Sequence, residues 1–559
     1  KKILNELLGF YKSFSIIEKE NKKRRDVAIK IMSTLANSNS SSCMYNHILV
    51  DGMWDNANYW LRYSLFNKSL SLDTAKITGL LGEYQRKKVT EIFKLLSISK
   101  YVDFHKKVKQ LKKNDSQAEI LIKKNKDILD IVLPYDTPIE IIYDGFLKKY
   151  KKSTAKITDP EFLPYLSDSI KYIEVANNII EEGRYDLVLL SHCIDVSYTS
   201  IAVAALRKKI PVYVLYGNYG VIRYIRLVKI SDIFNFPDRP KQIEIENIDS
   251  EKRIMLERVG EKYMKTRFKG GTNDLGAIYA YQKNMNIINK KKILRAHGWD
   301  ENKPIVCVYG SVWYDYPHSV ECMPYDDFYE WITETLEVAG ENTSVNWLFK
   351  GHPCDEWYGK LNGMTMENLI NNINKNHIRL VNREWGSFDL LKSIDCVITC
   401  HGTIGIEAAY IKKPVLVTHK GWYGDIGFTV TAESRNEYRK LLNSRWWENI
   451  DINNASSLAK VFAGFYFGIP ELGSNYHYQD DANQDAIYWD FEEFYNKQTK
   501  SLKEEMNFIS NWIQSDDPFY HIYKINQCEK IMPPPASSHI KTDPRSRARL
   551  GKGAYKASN

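Results

Sequence analysis

At 559 residues the chain exceeds one ordinary core, and two domains with extensions are expected. Hydrophobic residues at 43% and charged residues at 26% exclude wholesale disorder and fibrous repeats. The net charge of +9 is moderate, and its runs, such as KKRR (22–25), HKKVKQLKK (105–113) and KKYKKS (148–153), come without a nucleic-acid-binding motif, so nucleic acid is not an expected partner. They read as solvated helix faces, with weak attraction for lipid headgroups or a phosphate-bearing substrate as the functional alternative.

The N-terminal part opens with helical apolar spacing (Ile3, Leu7, Leu8, Phe10, Tyr11), and HILVDGMW (47–54) then reads as a strand running into a turn. YDLVLLSH (185–192), TSIAVAALRKK (199–209) and IPVYVLYGNYG (210–220) form a strand, helix and strand, a βαβ unit with ligand-facing loops at the strands' carboxyl ends. His192, Asp195, Asn218 and Tyr219 fall at that edge. The polar, helical stretch 235–295 leads to a domain boundary.

A second alternation follows. PIVCVYG (304–310), VNWLFKGHP (345–353), IRLV (378–381), DCVITCHG (395–402) and PVLVTH (414–419) read as strands, with DDFYEWITETLEVAG (326–340), SFDLLKSI (387–394) and TIGIEAAYIKK (403–413) as intervening helices. The pattern predicts an α/β protein with two Rossmann-like doubly wound domains, 1–290 and 291–480. Helices over 481–530 and a disordered tail over 531–559 complete it. No apolar run reaches the roughly 18 to 20 residues of a membrane span. The Lys-rich start lacks a signal peptide's apolar core, so a cytoplasmic protein is expected, with peripheral contact at the inner face of the plasma membrane as an extension.

Two strand ends carry chemistry. In HGTIGIE (401–407), Gly402, Thr403, Ile404 and Gly405 lie where a strand turns into a helix, and free N–H groups there favour a phosphate. Thr403 adds a hydroxyl, and Glu407, one turn in, suits a ribose diol; the bland alternative is a tight turn with a capping Thr. In LFKGHP, Lys350, His352 and Pro353 close a strand, and the proline holds His352 extended beside the lysine. Adjacent βα loops converge on one crevice. For a base that takes a proton from a hydroxyl, His192, Asp195, Asp51 and Asp55 are candidates on the first domain, although a lone strand-end His is more often a packed residue. Asp315 and His318 in SVWYDYPHS (311–319) follow the first strand of the second domain. The eight cysteines include no CxxC pair, and Cys396 and Cys400 have no second pair to complete a zinc site. With no DxD-like signature, and Asp326–Asp327 reading as a helix cap, neither metal nor cofactor is expected.

The order K-x-H-P, then S-F-D-L-L-x-x-I-D-x-V-I-T-x-H-G-T-I-G-x-E-A, then K-P-V resembles the C-terminal domain of bacterial capsule and lipopolysaccharide biosynthesis glycosyltransferases, including the capsule Kdo transferases. Its His-Pro element is similar to that of bacterial sialyltransferases, with Gly351 in place of the commoner proline. DGMWDNANYWLRYSLF (51–66) and SVWYDYPHS share the likeness. The resemblance implies a GT-B fold and a nucleotide, often CMP, held by His352, Thr403 and Gly405, with Lys350, Pro353, His401, Gly402, Ile404 and Glu407 around it. It implies a nucleotide-sugar donor held by 291–480, with Asp315 and His318 steadying the sugar or its leaving phosphate, and a saccharide or lipid-linked acceptor on the side of 1–290, where His192, Asp195 or Asp55 would take its proton. A sugar-nucleotide epimerase, a polyol-phosphate polymerase and a non-catalytic capsule-assembly scaffold are the competing readings on the same frame.

Overall fold

The structure, a computed structural model, describes residues 18, 22, 25–26, 28–33, 43–112, 115–218, 221–235, 239–272, 274–282, 285–320, 323–353, 361–468, 503 and 506–520. The helix expected near residues 3–11, Tyr219, most of 481–530 and the tail from 531 lie outside them.

Two six-stranded sheets organise the chain. The first contains His47–Gly52 (β1), Lys76–Leu81 (β2), Lys100–Asp103 (β3), Leu187–Leu190 (β4), Val212–Val214 (β5) and Ile225–Leu227 (β6), in the order β3-β2-β1-β4-β5-β6. All neighbours are parallel except β5 and β6. Parallel strands are covered on both faces, which is why β4 and β5 are uninterrupted apolar runs buried along their whole length. Helices Glu140–Tyr150 (α1), Phe162–Gly183 (α2) and Val196–Arg207 (α3) belong to this half. Strand order reverses between β1 and β4, so Asp51 and Ser191 stand at the topological switch point.

The second sheet repeats the design with Ile305–Tyr309 (β7), Asn346–Lys350 (β8), Ile378–Leu380 (β9), Cys396–Thr399 (β10), Val415–Val417 (β11) and Val430–Thr431 (β12). Its order is β9-β8-β7-β10-β11-β12, parallel throughout, with the reversal between β7 and β10. Two Rossmann-like sheets with interleaved helices are what the alternation predicts, and the architecture is that of the GT-B class that the resemblance implies. Among the described residues no helix is long and apolar enough to cross a membrane.

Helices Ser250–Arg267 (α4), Leu275–Ala280 (α5), Phe328–Glu341 (α6), Ile404–Tyr410 (α7) and Ile452–Ala463 (α8) complete the description of the second half. The charged stretch around 250–267 is not a solvated connection, because α4 packs against α8 and supplies Leu256, Tyr263 and Met264 to the second core. Close approach depends on two glycines. A Cβ on Gly260 would come within 1.9 Å of the Lys460 carbonyl, and one on Gly464 within 2.3 Å of the Leu256 carbonyl. In the opposite sense, residues 506–514 return to the first half, where Met506, Ile509, Trp512 and Ile513 share a core with Tyr213 and Tyr224.

Backbone opposes any side chain at position 260, so Gly260→Ala must push α4 and α8 apart. A loss of about 1–3 kcal/mol in urea unfolding is expected, against less than about 0.5 kcal/mol for Lys262→Ala on the exposed face.

Candidate functional site

On the first sheet the reactive groups form a chain of hydrogen bonds. The carboxylate of Asp51, buried at the end of β1, accepts the Met53 amide (2.8 Å), the Ser191 amide (2.9 Å) and the Ser191 hydroxyl (2.5 Å). Ser191 Oγ also lies 2.9 Å from His192 Nδ1. A hydroxyl has one proton, and the carboxylate takes it; Nδ1 must therefore be the donor to Ser191, which leaves Nε2 as the basic nitrogen of the ring. Burial, aided by the positive charge of Arg62, lowers the His192 pKa to about 4, so the ring is neutral at neutral pH. Tyr198 and Tyr216 frame it, with ring centroids 5.6 and 6.1 Å away.

The other two acid/base candidates have separate employment. Asp195 caps α3, accepting the amide and hydroxyl of Ser197. Asp55, with a side chain only 3% exposed, is enclosed by Arg25 (3.0 Å), Lys88 (3.2 Å) and the Trp60 indole (3.0 Å). The structure thus brings His192 together with Asp51 and Ser191, commits Asp55 to the Arg25, Lys88 and Trp60 side chains, and uses Asp195 to cap α3.

On the second sheet, Lys350 ends β8 and His352 and Pro353 follow in the loop. Burial lowers the His352 pKa to about 4; the charges of Asp315 and Asp274 pull against that, and Lys350 reinforces it. The HGTIGIE turn follows β10 at the reversal of strand order. Thr403 is helical and its side chain does not cap α7; its hydroxyl instead accepts from Arg267 Nη2 at 3.0 Å. The same guanidinium, 2% exposed, donates through Nε to Glu407 (2.6 Å) and through Nη1 to Asp274 (2.5 Å), and the Tyr281 hydroxyl donates to the second Glu407 oxygen. Glu407 is therefore occupied by Arg267 and Tyr281, a correction to the ribose contact expected of it.

Asp274 also explains how the two loops are related. It touches Arg267, which touches Thr403, and its charge is felt by His352. Two aromatic residues fix the turn further: Trp422 Nε1 donates to the His401 carbonyl (2.6 Å) and the Tyr423 hydroxyl to the Gly402 carbonyl (2.6 Å). Gly405 must be glycine here, because a Cβ would lie 2.3 Å from that Tyr423 hydroxyl. Sequence reasoning missed Arg267, Tyr281, Trp422 and Tyr423; the GW pair after PVLVTH was the available signal for the last two.

The halves are joined beside these edges through α1. Lys148 pairs with Asp315 at 2.6 Å, the Tyr143 hydroxyl donates to Asp327 at 2.5 Å, and Asp144 receives both the ring Nδ1 (2.7 Å) and the backbone amide (3.0 Å) of His318. His318 is 4% exposed and committed to this latch rather than to a sugar, which corrects the expectation for it. Asp315 remains partly open, its side chain 35% exposed. Asp327 caps α6 by accepting the Glu330 amide, as its sequence context predicts.

Residues 238–446 match the family of capsule polysaccharide biosynthesis proteins. The motif resemblance to capsule biosynthesis proteins thus holds over a segment that includes Arg267, His318, the Lys350–His352 loop and the HGTIGIE turn, while Asp51, Ser191 and His192 precede it. No curated protein matches the chain significantly. Among solved structures, the Thermosulfurimonas dismutans KpsC, a β-Kdo 2,4-transferase, aligns at 13% identity over 50% of this chain and 78% of that one, with a TM-score of 0.27. The S. aureus MnaA–UDP complex aligns at 12% over 77% and 95% (TM-score 0.26), and the Neisseria meningitidis UDP-GlcNAc 2-epimerase bound to UDP-GlcNAc at 13% over 75% and 96% (TM-score 0.22). The strand orders themselves define the fold.

The segment that matches the capsule family is latched to the first half by an ion pair that titrates. Burial disfavours the charged His318 ring, but the Asp144 charge and hydrogen bond outweigh it and raise the pKa above its ordinary 6.5. A raised folded pKa contributes stability that is complete below the unfolded value and is lost as pH rises through the folded one. Relative to His318→Gln, the wild type is expected to be more stable by about 3–5 kcal/mol at pH 6, with the advantage shrinking at alkaline pH. Urea unfolding at both pH values checks the sign.

Proposed function

We propose that the chain is a glycosyltransferase that moves an acidic sugar, Kdo or a close relative, from a cytidine monophosphate donor to a saccharide or lipid-linked saccharide acceptor. The observation that carries this reading is that the two sheets present different chemistry at their switch points. One edge offers a neutral imidazole held as a base, and the other a loop pair with a cation, an imidazole and a hydroxyl. Capsule polysaccharide assembly is the making of glycosidic bonds, and the family match supports a transferase over the epimerase and scaffold alternatives.

In this reading the donor phosphate rests against Lys350, His352 and the Gly402–Thr403–Ile404–Gly405 turn. The acceptor hydroxyl attacks the anomeric carbon, His192 Nε2 takes its proton, and the bond from that carbon to the phosphate oxygen breaks with its electron pair leaving on CMP. Lys350 and hydrogen bonds from the turn offset the charge that develops on the departing phosphate. Magnesium or manganese is not required for the transfer. Glu407 and Arg267 act at one remove, holding Thr403 in place.

His352→Ala and Thr403→Ala are each expected to weaken CMP binding at least tenfold, about 1.4 kcal/mol, while leaving the unfolding transition cooperative. Calorimetric titration of CMP, UDP and GDP tests both the site and the base. Unchanged affinity in both variants would sink the donor site, and tenfold tighter UDP or GDP would remove CMP from the proposal.

A further inference from the structure

A separate cluster lies where β10 and β11 end side by side. Cys400, His401 and His419 each offer a ligating atom, and the three atoms lie within 4.8 Å of one another. Cys400 and His401 follow β10 directly, and His419 follows β11 by two residues. Paired parallel strands therefore fix the cluster, not a loose loop. The Cys400 sulfur is 3.8 Å from His419 Nδ1, so the thiol stands directly beside that ring. The Met323 thioether sulfur lies 3.7 Å from the Cys400 sulfur and brings a further soft donor to the group.

The internal hydrogen bonds account for only part of this donor set. Thr418 Oγ1 lies 3.2 Å from the Cys400 sulfur and 3.0 Å from His419 Nδ1, and one hydroxyl can serve both by donating to one and accepting from the other. Two ring nitrogens remain. Among the described residues His401 Nδ1 is buried with no hydrogen-bond partner; His419 Nε2 has no partner within hydrogen-bond distance either, although the Val320 backbone carbonyl also bears on the His419 ring. Buried imidazole nitrogens are normally satisfied, so the unpartnered His401 Nδ1, aimed into a cluster of a thiol and a second imidazole, is a specific pointer to a missing ligand. The division seen at His419, one nitrogen held by a neighbouring hydroxyl and one without a partner, is the arrangement that fixes the ring of a metal-bound histidine. Gly421, in the left-handed region at φ +47°, keeps space open beside both rings: a Cβ there would come within 3.0 Å of the His401 Cβ and 3.6 Å of His419 Nε2.

We infer that Cys400, His401 and His419 bind a thiophilic first-row metal ion, zinc(II) or copper, through one thiolate and two neutral imidazoles. The lack of a paired acidic signature speaks only to hard, oxygen-bound ions such as magnesium and leaves a sulfur and nitrogen site untouched. On binding, the Cys400 thiol loses its proton to solvent and the sulfur lone pair goes to the metal. The ion would clamp the ends of β10 and β11 directly beneath Gly402 and Thr403. His401 then serves the ion, and the nucleotide is left to the other residues of the turn. This inference does not rest on the transferase reading, because its test measures metal and not transfer.

The full chain, purified from medium supplemented with zinc and copper and passed over a desalting column, is analysed for metal content, and the apo protein is titrated with cobalt(II) as a zinc surrogate. About one zinc or copper per chain is expected, with near-ultraviolet thiolate-to-cobalt charge-transfer absorption saturating at one equivalent. Cys400→Ser should abolish that absorption, and His419→Ala should lower cobalt affinity at least tenfold. Which metal is retained identifies the ion. Substoichiometric metal in the wild type together with no thiolate-to-cobalt band would overturn the site, whatever the variants do.

Discussion

One buried guanidinium holds the second half of the molecule in register with its own site. Arg267 ends α4, and taking its charge out of water is tolerable only because Glu407, Asp274 and Thr403 all receive its N–H groups. Burial disfavours its charge, yet the two carboxylates more than compensate and keep it protonated. Through those three partners α4 is bound to the HGTIGIE turn and to the cap of α5. Since α4 is itself seated on α8 through Gly260 and Gly464, helix packing far from the strands determines where Thr403 points. The network explains why Glu407 matters without touching a nucleotide: removing it would leave a buried cation short of a partner.

The two strand edges are equipped for different tasks by the same rule. At a switch point the neighbouring strands' loops part, and polar groups placed there can be buried without being covered by a helix. The first sheet uses that position for Asp51, whose three hydrogen bonds only partly offset the burial that raises its pKa, and which passes its orientation through Ser191 to His192. The second uses it for the glycine turn. Between them α1 carries Tyr143, Asp144 and Lys148 across to Asp327, His318 and Asp315, so both edges share a scaffold whose ionic part responds to pH.

What could be read from the sequence follows from burial. The second sheet was legible because PIVCVYG, VNWLF, DCVIT and PVLV are apolar runs between turn residues, and β7, β8, β10 and β11 lie where those runs do. On the first sheet β2 and β3 escaped notice. KITGLL carries Gly79, where a Cβ would meet the Phe93 ring at 2.3 Å, and the edge strand KYVD has no buried residue to form a pattern. Tertiary contacts hid the rest. Asp51 and Ser191 are 140 residues apart, as are Arg267 and Glu407, and Arg267 sits in a stretch so charged that it reads as solvated. Lys350, His352, Thr403 and His192 stood out because each ends a legible strand. The partners that orient them come from elsewhere in the chain.

In the proposed transferase the edges divide the labour, with the proton acceptor on the first sheet and the nucleotide on the second. Single-turnover transfer and CMP titration of His192→Ala measure the two parts separately. A fall in transfer rate of about 10²- to 10⁴-fold with CMP affinity unchanged is expected. Transfer at the wild-type rate, or CMP binding lost along with activity, would contradict it.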